Sequence, residues 1–332
     1  MPEFRRDPVT GQWIIVSTER AKRPSDFVRT PVVAQKLGVC PFCPGNEDLT
    51  VAEVLAFRSS GAPNKPGWTT RVVPNRFPVL RIEGDFDREA DGLYDRMNGV
   101  GAHEVIIDCP EHVTSLPETS ETNVANVFWA FRERVEDLKN DPRLVYTLLF
   151  KNHGEAAGAS LEHSHSQLIA LPAIPKRVHE ELDGSRRYFD YHERCLFCDM
   201  IRQERRDGTR LVSEDEHVVV LAPYASRFPF EMCVLPSKHG SHLESATPET
   251  VWSLAQTLRT LLGKIDRALE RPAYNFVLHN GTMKDAGLAH YHWHLEIIPR
   301  LVRIAGFEWG TSFYINPTTP EEAARFLRDF PA

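Results

Sequence analysis

The chain reads as an α+β protein made twice from one template, with largely antiparallel sheet in both copies. The same order of signals occurs in each half, and the distances between matched histidines agree. Strand and helix signals mix through hairpin-like connections, with no run of strand–helix–strand units. Each copy opens on Cys-x-x-Cys, Cys40/Cys43 and Cys195/Cys198, followed by an Arg-Phe-Pro turn at Arg76 and Arg227. An apolar strand then leads to Pro-x-His ending at His112, or Pro-x-x-His ending at His239.

A helix comes next. Val124, Val127, Phe128, Phe131, Val135 and Leu138 recur at helical spacing in the first copy. In the second, Thr247 supplies an N-cap and Pro248 the first helical position, ahead of a stripe of Val251, Leu254, Leu258, Leu261, Ile265 and Leu269. A Tyr-led strand, 146–150 or 274–278, leads to His163-Ser164-His165-Ser166-Gln167 in one half and His292-Trp293-His294-Leu295-Glu296 in the other. His112 and His163 are 51 residues apart, and His239 and His292 are 53 apart. The halves are expected to be 1–175 and 176–332, joined through the charged segment Ala173–Arg194.

At 332 residues the chain can bury a substantial core. It has no apolar stretch long enough to span a bilayer, and its start, Met1-Pro2-Glu3-Phe4-Arg5-Arg6, has no apolar core of a secretory signal. No membrane is expected and the cytoplasm is the expected compartment. A net charge of −7 argues against nucleic acid as a partner. It leaves room for a phosphate-bearing small substrate met by a local basic cluster such as Arg20, Lys22 and Arg23. Structural disulfides are not expected in that compartment, so the single Cys109 and Cys233 are read as buried packing.

Cys-x-x-Cys delivers two thiolates from one turn, and zinc takes four N or S ligands. The repeated order nominates Cys40, Cys43, His112 and His163 for one site, and Cys195, Cys198, His239 and His292 for the other. His103 and His242 are the alternatives nearest to these ligands. Four protein ligands leave no open position, which favours a structural role for two zinc ions. The second histidine of each segment is then free, and on a strand it shares a face with the first. His165 has small neighbours, Ser164 and Ser166, with Gly158-Ala159-Ser160 upstream; His294 lies between Trp293 and Leu295. Two residues on stand Gln167 and Glu296; an amide can donate to a phosphoryl oxygen, whereas a carboxylate repels it. His165 is therefore the candidate nucleophile toward phosphorus and His294 is expected to be structural.

At these residues the chain resembles the galactose-1-phosphate uridylyltransferase family of the histidine-triad superfamily. The resemblance runs from Phe4–Trp13 through Arg20–Pro24, Cys40–Glu47, Pro74–Pro78, Gly158–Ser160 and His163–Gln167 to Ala305–Glu308. It implies a duplicated histidine-triad-like fold and ping-pong transfer of UMP between UDP-glucose and galactose 1-phosphate. His165 would carry the uridylyl group and Gln167 would hold the phosphoryl oxygens. Asn75, Asn152 and Ser160 would contact nucleotide or phosphate. Phe307 and Glu308 match the hexose-contacting segment. The family is typically a homodimer whose partner contributes to the site, a role that Arg20–Arg23 would fit. Three features depart from the better-known members: Ser164 where they have proline, Ser25-Asp26-Phe27 where they have tryptophan, and Tyr314 where they have glutamine. Together with the second Cys-x-x-Cys, these resemble a branch that includes ADP-glucose phosphorylase of plants. The alternative is therefore adenylyl transfer from ADP-glucose to phosphate through the same histidine. Two further readings are dinucleotide hydrolysis and a non-catalytic zinc-stabilised binding protein.

Overall fold

A computed structural model describes residues 1–17 and 38–331. Its strands are β1 (Glu3–Arg6), β2 (Trp13–Val16), β3 (Leu55–Arg58), β4 (Trp68–Pro74), β5 (Glu89–Asp91), β6 (Tyr94–Arg96), β7 (Ala102–Ile107) and β8 (Tyr146–His153). After these come β9 (His165–Leu171), β10 (Leu211–Glu214), β11 (Val218–Leu221), β12 (Met232–Pro236), β13 (Tyr274–His279), β14 (His294–Pro299) and β15 (Tyr314–Asn316). The α-helices are α1 (Glu121–Leu138), α2 (Lys176–His192), α3 (Leu196–Asp207), α4 (Pro248–Ala268), α5 (Gly306–Thr311) and α6 (Pro320–Asp329).

Ten strands form one sheet in the order β10-β11-β12-β14-β13-β8-β9-β7-β4-β3. Every pairing in it is antiparallel. From the centre outward the first half runs β8, β9, β7, β4, β3, and the second runs β13, β14, β12, β11, β10. The two orders match element for element, so the fold is the duplicated α+β arrangement. The copies meet where β8 pairs with β13, with Asn152 opposite Asn275 and Lys151 opposite Phe276.

One face of the sheet carries α1 and α4, which also pack on each other. Their apolar stripes, including Phe128, Phe131, Leu254 and Leu258, fill the main core with Ile106, Leu149, Leu168 and Leu295. The caps behave as their residue types dictate: Ser120 and Thr247 accept from the amides of Asn123 and Thr250, and Pro248 sits where no helical N–H is needed. On the other face, α2 and α3 cover the second half through Val178, Leu182, Phe197 and Ile201. Over the first half lies a smaller cluster of Phe42, Trp68, Val73, Val105 and Ile107.

The charged segment expected to join the halves, 173–194, carries helix α2. Its charges hid an amphipathic pattern in which Val178 and Leu182 face the core and Glu181, only 2% exposed, is drawn inward. No helix among the described residues is long and apolar enough to cross a membrane. Phe128 is 1% exposed within the helix–sheet core, so Phe128→Ala is expected to cost about 3–5 kcal/mol, measured by urea unfolding with an unchanged slope.

Candidate active site and metal centres

Carbonyl oxygens set the histidine tautomers. The turn at Cys40–Cys43, the loop at His112 and the lead into β9 bring four ligand atoms within 4.8 Å of one another. His163 donates Nε2–H to the Cys109 carbonyl at 2.8 Å, which leaves the Nδ1 lone pair facing Cys40 Sγ (3.6 Å) and Cys43 Sγ (3.7 Å). His112 Nδ1 lies 3.2 Å from Cys43 Sγ. The second copy repeats the plan with Cys195, Cys198, His239 and His292. His292 donates to the Pro236 carbonyl at 3.0 Å and His239 to that of Leu288 at 3.2 Å, turning both Nδ1 atoms toward Cys198. Both clusters have the N/S donor set that zinc prefers. His103 and His242 join neither cluster.

His165 begins β9 and donates Nδ1–H to the His163 carbonyl at 2.8 Å. The lone pair is therefore on Nε2. Burial, followed by the nearby Lys151 charge, pushes the imidazole down to about 4, so it is neutral near pH 7. Phe42, from the first Cys-x-x-Cys turn, packs edge-on against it at 5.3 Å. His165 shares a hollow of about 50 Å3 with Asn152, Ser160, His163 and Ser164. Gly158 borders that loop with φ +91°, a left-handed cap that a side chain would strain.

Gln167 follows on the same face of β9. The Val79 amide donates to His103 Nδ1 at 3.2 Å, so His103 carries its proton on Nε2 and donates it to Gln167 Oε1 at 2.9 Å. The NH2 group of Gln167 is left to donate elsewhere. Asn75 lies beside the same ring nitrogen, its amide nitrogen 3.1 Å from Nε2. Across the seam between the copies, Asn275 donates to Asn152 Oδ1 (2.8 Å) and to the Ala157 carbonyl (2.9 Å), tying down the loop beside His165.

The second copy has diverged. His294 donates Nδ1–H to the His292 carbonyl at 3.0 Å, as its counterpart does, and stacks on His279 at 4.8 Å. Its Nε2, however, faces the Glu181 carboxylate at 3.9 Å. Burial alone would lower His279, but Glu181 and Glu296 override it and push it up to about 9. Arg177 and Arg227 then bind the two oxygens of Glu296 at 2.8 and 2.7 Å. A hollow of about 450 Å3 lies here, lined by Glu181, Glu231 and Glu296 together with Arg177, Arg210 and Arg227. Glu181, His279, His294 and Glu296 also place their ligand atoms within 4.8 Å, so this group too could hold a metal ion.

The hexose segment is not brought to His165 within one chain. Glu308 and Tyr314 line a hollow with Arg227 and Phe228 that shares no residue with the hollow at His165, and Phe307 is exposed on α5. Arg20 and Arg23 lie outside the described residues. Sequence reasoning missed Lys151, Asp108 and Asn275, and named His103 only as an alternative metal ligand. Lys151 alone had a visible signal, a lysine directly after the apolar run Leu148-Leu149-Phe150.

Fold and site together define a class: the chain belongs to the galactose-1-phosphate uridyl transferase family. The family's N-terminal domain matches residues 1–175 and its C-terminal domain residues 181–315. Among individual relatives, an ADP-glucose phosphorylase of Arabidopsis thaliana is 35% identical, covering 99% of this chain and 93% of its own length. A galactose-1-phosphate uridylyltransferase of Thermotoga maritima is 29% identical, covering 99% and 98%. A crystal structure of the Arabidopsis phosphorylase with bound ADP-glucose superposes over 100% of both chains with a TM-score of 0.84 at 34% identity.

His153 gives the molecule an acid-sensitive point. Burial, with Lys151 beside it, lowers its pKa from 6.5 to about 4 while it donates to the Thr114 carbonyl and stacks on Tyr274. The folded value lies below the unfolded one, so its contribution is present above about pH 6.5 and is lost as pH falls toward 4. The loss approaches roughly 3 kcal/mol. His153→Gln is expected to flatten the stability slope across pH 6.5–4 by one proton, read from urea unfolding at stepped pH.

Proposed function

We propose that the protein transfers UMP between UDP-glucose and a hexose 1-phosphate, galactose 1-phosphate in the first instance, through a covalent intermediate on His165. The observation that carries this is the His165 tautomer: a buried, neutral imidazole with its lone pair on Nε2. In the first step Nε2 attacks the α-phosphorus of UDP-glucose. The N–P bond forms as the bond to the bridging oxygen breaks, and glucose 1-phosphate leaves. The ring keeps its Nδ1–H on the His163 carbonyl, where the positive charge of the adduct is partly met. In the second step a phosphate oxygen of the hexose 1-phosphate displaces His165, giving the new nucleotide sugar and the free imidazole. Gln167, its carbonyl held by His103, offers its NH2 to the non-bridging oxygens. Asn75, Asn152, Gly158 and Ser160 bound the nucleotide and phosphate.

A second reading, adenylyl transfer from ADP-glucose to phosphate, is favoured by the higher identity to the Arabidopsis phosphorylase and by Ser164 and Tyr314. Incubation with radiolabelled UDP-glucose and, separately, ADP-glucose distinguishes the two. Label from UDP-glucose on His165 is expected, and its absence in His165→Gly. Label from ADP-glucose alone moves the assignment to the phosphorylase.

The Cys/His clusters are read as two structural zinc sites. Bound zinc would cross-link the Cys-x-x-Cys turns to the strands that carry the histidines, with no open position for substrate. Elemental analysis is expected to find about two zinc ions per chain. His163→Ala should lose one of them and melt earlier, whereas His165→Gly should keep both. Phe307, Glu308, Tyr314, Arg20 and Arg23 are assigned to the active site of a second copy in a homodimer, and the compartment to the cytoplasm.

A further inference from the structure

The reaction as written leaves a buried ion pair beneath the nucleophile without a role. On the side of β8 that faces α1 and α4, Leu149 is followed by Lys151, which is 1% exposed. Its ammonium donates to Asp108 Oδ2 at 2.7 Å, to Ser164 Oγ at 2.9 Å and to the main-chain carbonyl of His165 at 2.9 Å. The fully buried Asp108 accepts from Ser164 Oγ at 2.8 Å and from Ser166 Oγ at 3.0 Å. Its own amide donates to the Ser164 carbonyl at 3.2 Å. Side chains alternate along β9, so Ser166 points to the face opposite the His165 ring.

The residues before, at and after the nucleophile are thus gripped from below. A buried charge pair is a poor way to gain stability, because desolvation offsets its attraction and well-packed apolar groups do as well or better. It is a good way to fix a backbone, because each partner has one place to go. The second copy makes the contrast. There the strand register puts Leu278 at the position of Lys151, and Trp293 and Leu295 stand at those of Ser164 and Ser166. The grip exists only in the copy whose imidazole faces an amide.

We propose that Lys151 is a positioning residue for His165, acting with Asp108 to hold the main chain of residues 164–166 so that Nδ1–H stays on the His163 carbonyl and Nε2 stays in line with phosphorus. The same grip gives Ser164 its function: its hydroxyl ties the segment to Lys151 and Asp108, which a proline there could not. The inference rests on the assignment of His165 as nucleophile.

The test uses the full chain and single-turnover labelling of His165 from whichever of UDP-glucose or ADP-glucose labels the wild type. Lys151→Met/Asp108→Leu removes both charges, and Ser164→Ala/Ser166→Ala keeps the ion pair but frees the strand. For the first variant, metal content and KM should match the wild type while the labelling rate falls about a hundredfold. For the second, the fall should be about tenfold, with melting temperature unchanged. A folded charge-free variant that labels within threefold of wild type overturns the proposal. If that variant does not fold, full-rate labelling by the serine variant overturns it. Wild-type protein unlabelled by either nucleotide sugar overturns the reading of His165 itself, a separate outcome.

Discussion

A carbonyl oxygen can only accept, and in this protein that constraint decides which nitrogen of each important imidazole is free. His163 and His292 give Nε2–H to main-chain carbonyls and so present Nδ1 to the cysteines. His165 and His294 give Nδ1–H to the carbonyls of those same residues and so present Nε2 on the neighbouring face. The carbonyl of the ligand histidine is therefore shared infrastructure. Anything that moves the Cys/His cluster moves the acceptor that sets the tautomer of the next histidine. Second-copy geometry follows the same rule, which is why two sites of such different surroundings keep one backbone plan.

From that common plan, surrounding charge separates the copies. Around His165 stand the amides of Gln167, Asn75 and Asn152 and the His103 ring, and Glu155 and Glu162 also line the hollow. Around His294 the groups are Glu181, Glu231 and Glu296, balanced by Arg177, Arg227 and His279. An anionic substrate entering the second cavity would have to displace a closed set of ion pairs. The hollow in the second copy is the roomier of the two.

Much of this was legible in the sequence, because duplication turns one chain into two aligned observations. Paired cysteines and matched histidine spacings pointed to both Cys/His clusters that the fold brings together, and helical periodicity with Thr247-Pro248 located α1 and α4. Comparing Gln167 with Glu296 located the divergence. What stayed hidden was hidden for physical reasons. α2 was masked because its exposed charges outnumber its buried Val178 and Leu182. His103 lies 64 residues from Gln167, and only the β7–β9 register brings them together. Lys151 and Asp108 are 43 residues apart and meet at the ends of different strands. Phe307 and Glu308 matched a family segment from which Tyr314 departs, but the hollow that Glu308 and Tyr314 line shares no residue with the hollow at His165.

The seam at β8 and β13 ties each half's solubility to the other. β8 is a strand of eight residues whose edge away from β9 is paired over Leu149–His153 by the opposite copy. Cutting the chain between the halves would leave that edge as a row of open donors and acceptors, a template for any extended segment nearby. A single ancestral unit with this strand would have had to associate with itself to survive. Joining two units in one polypeptide makes that association permanent and independent of concentration. With its edge always guarded, the second copy no longer needed to be identical to the first, and its surface around His294 could fill with ion pairs.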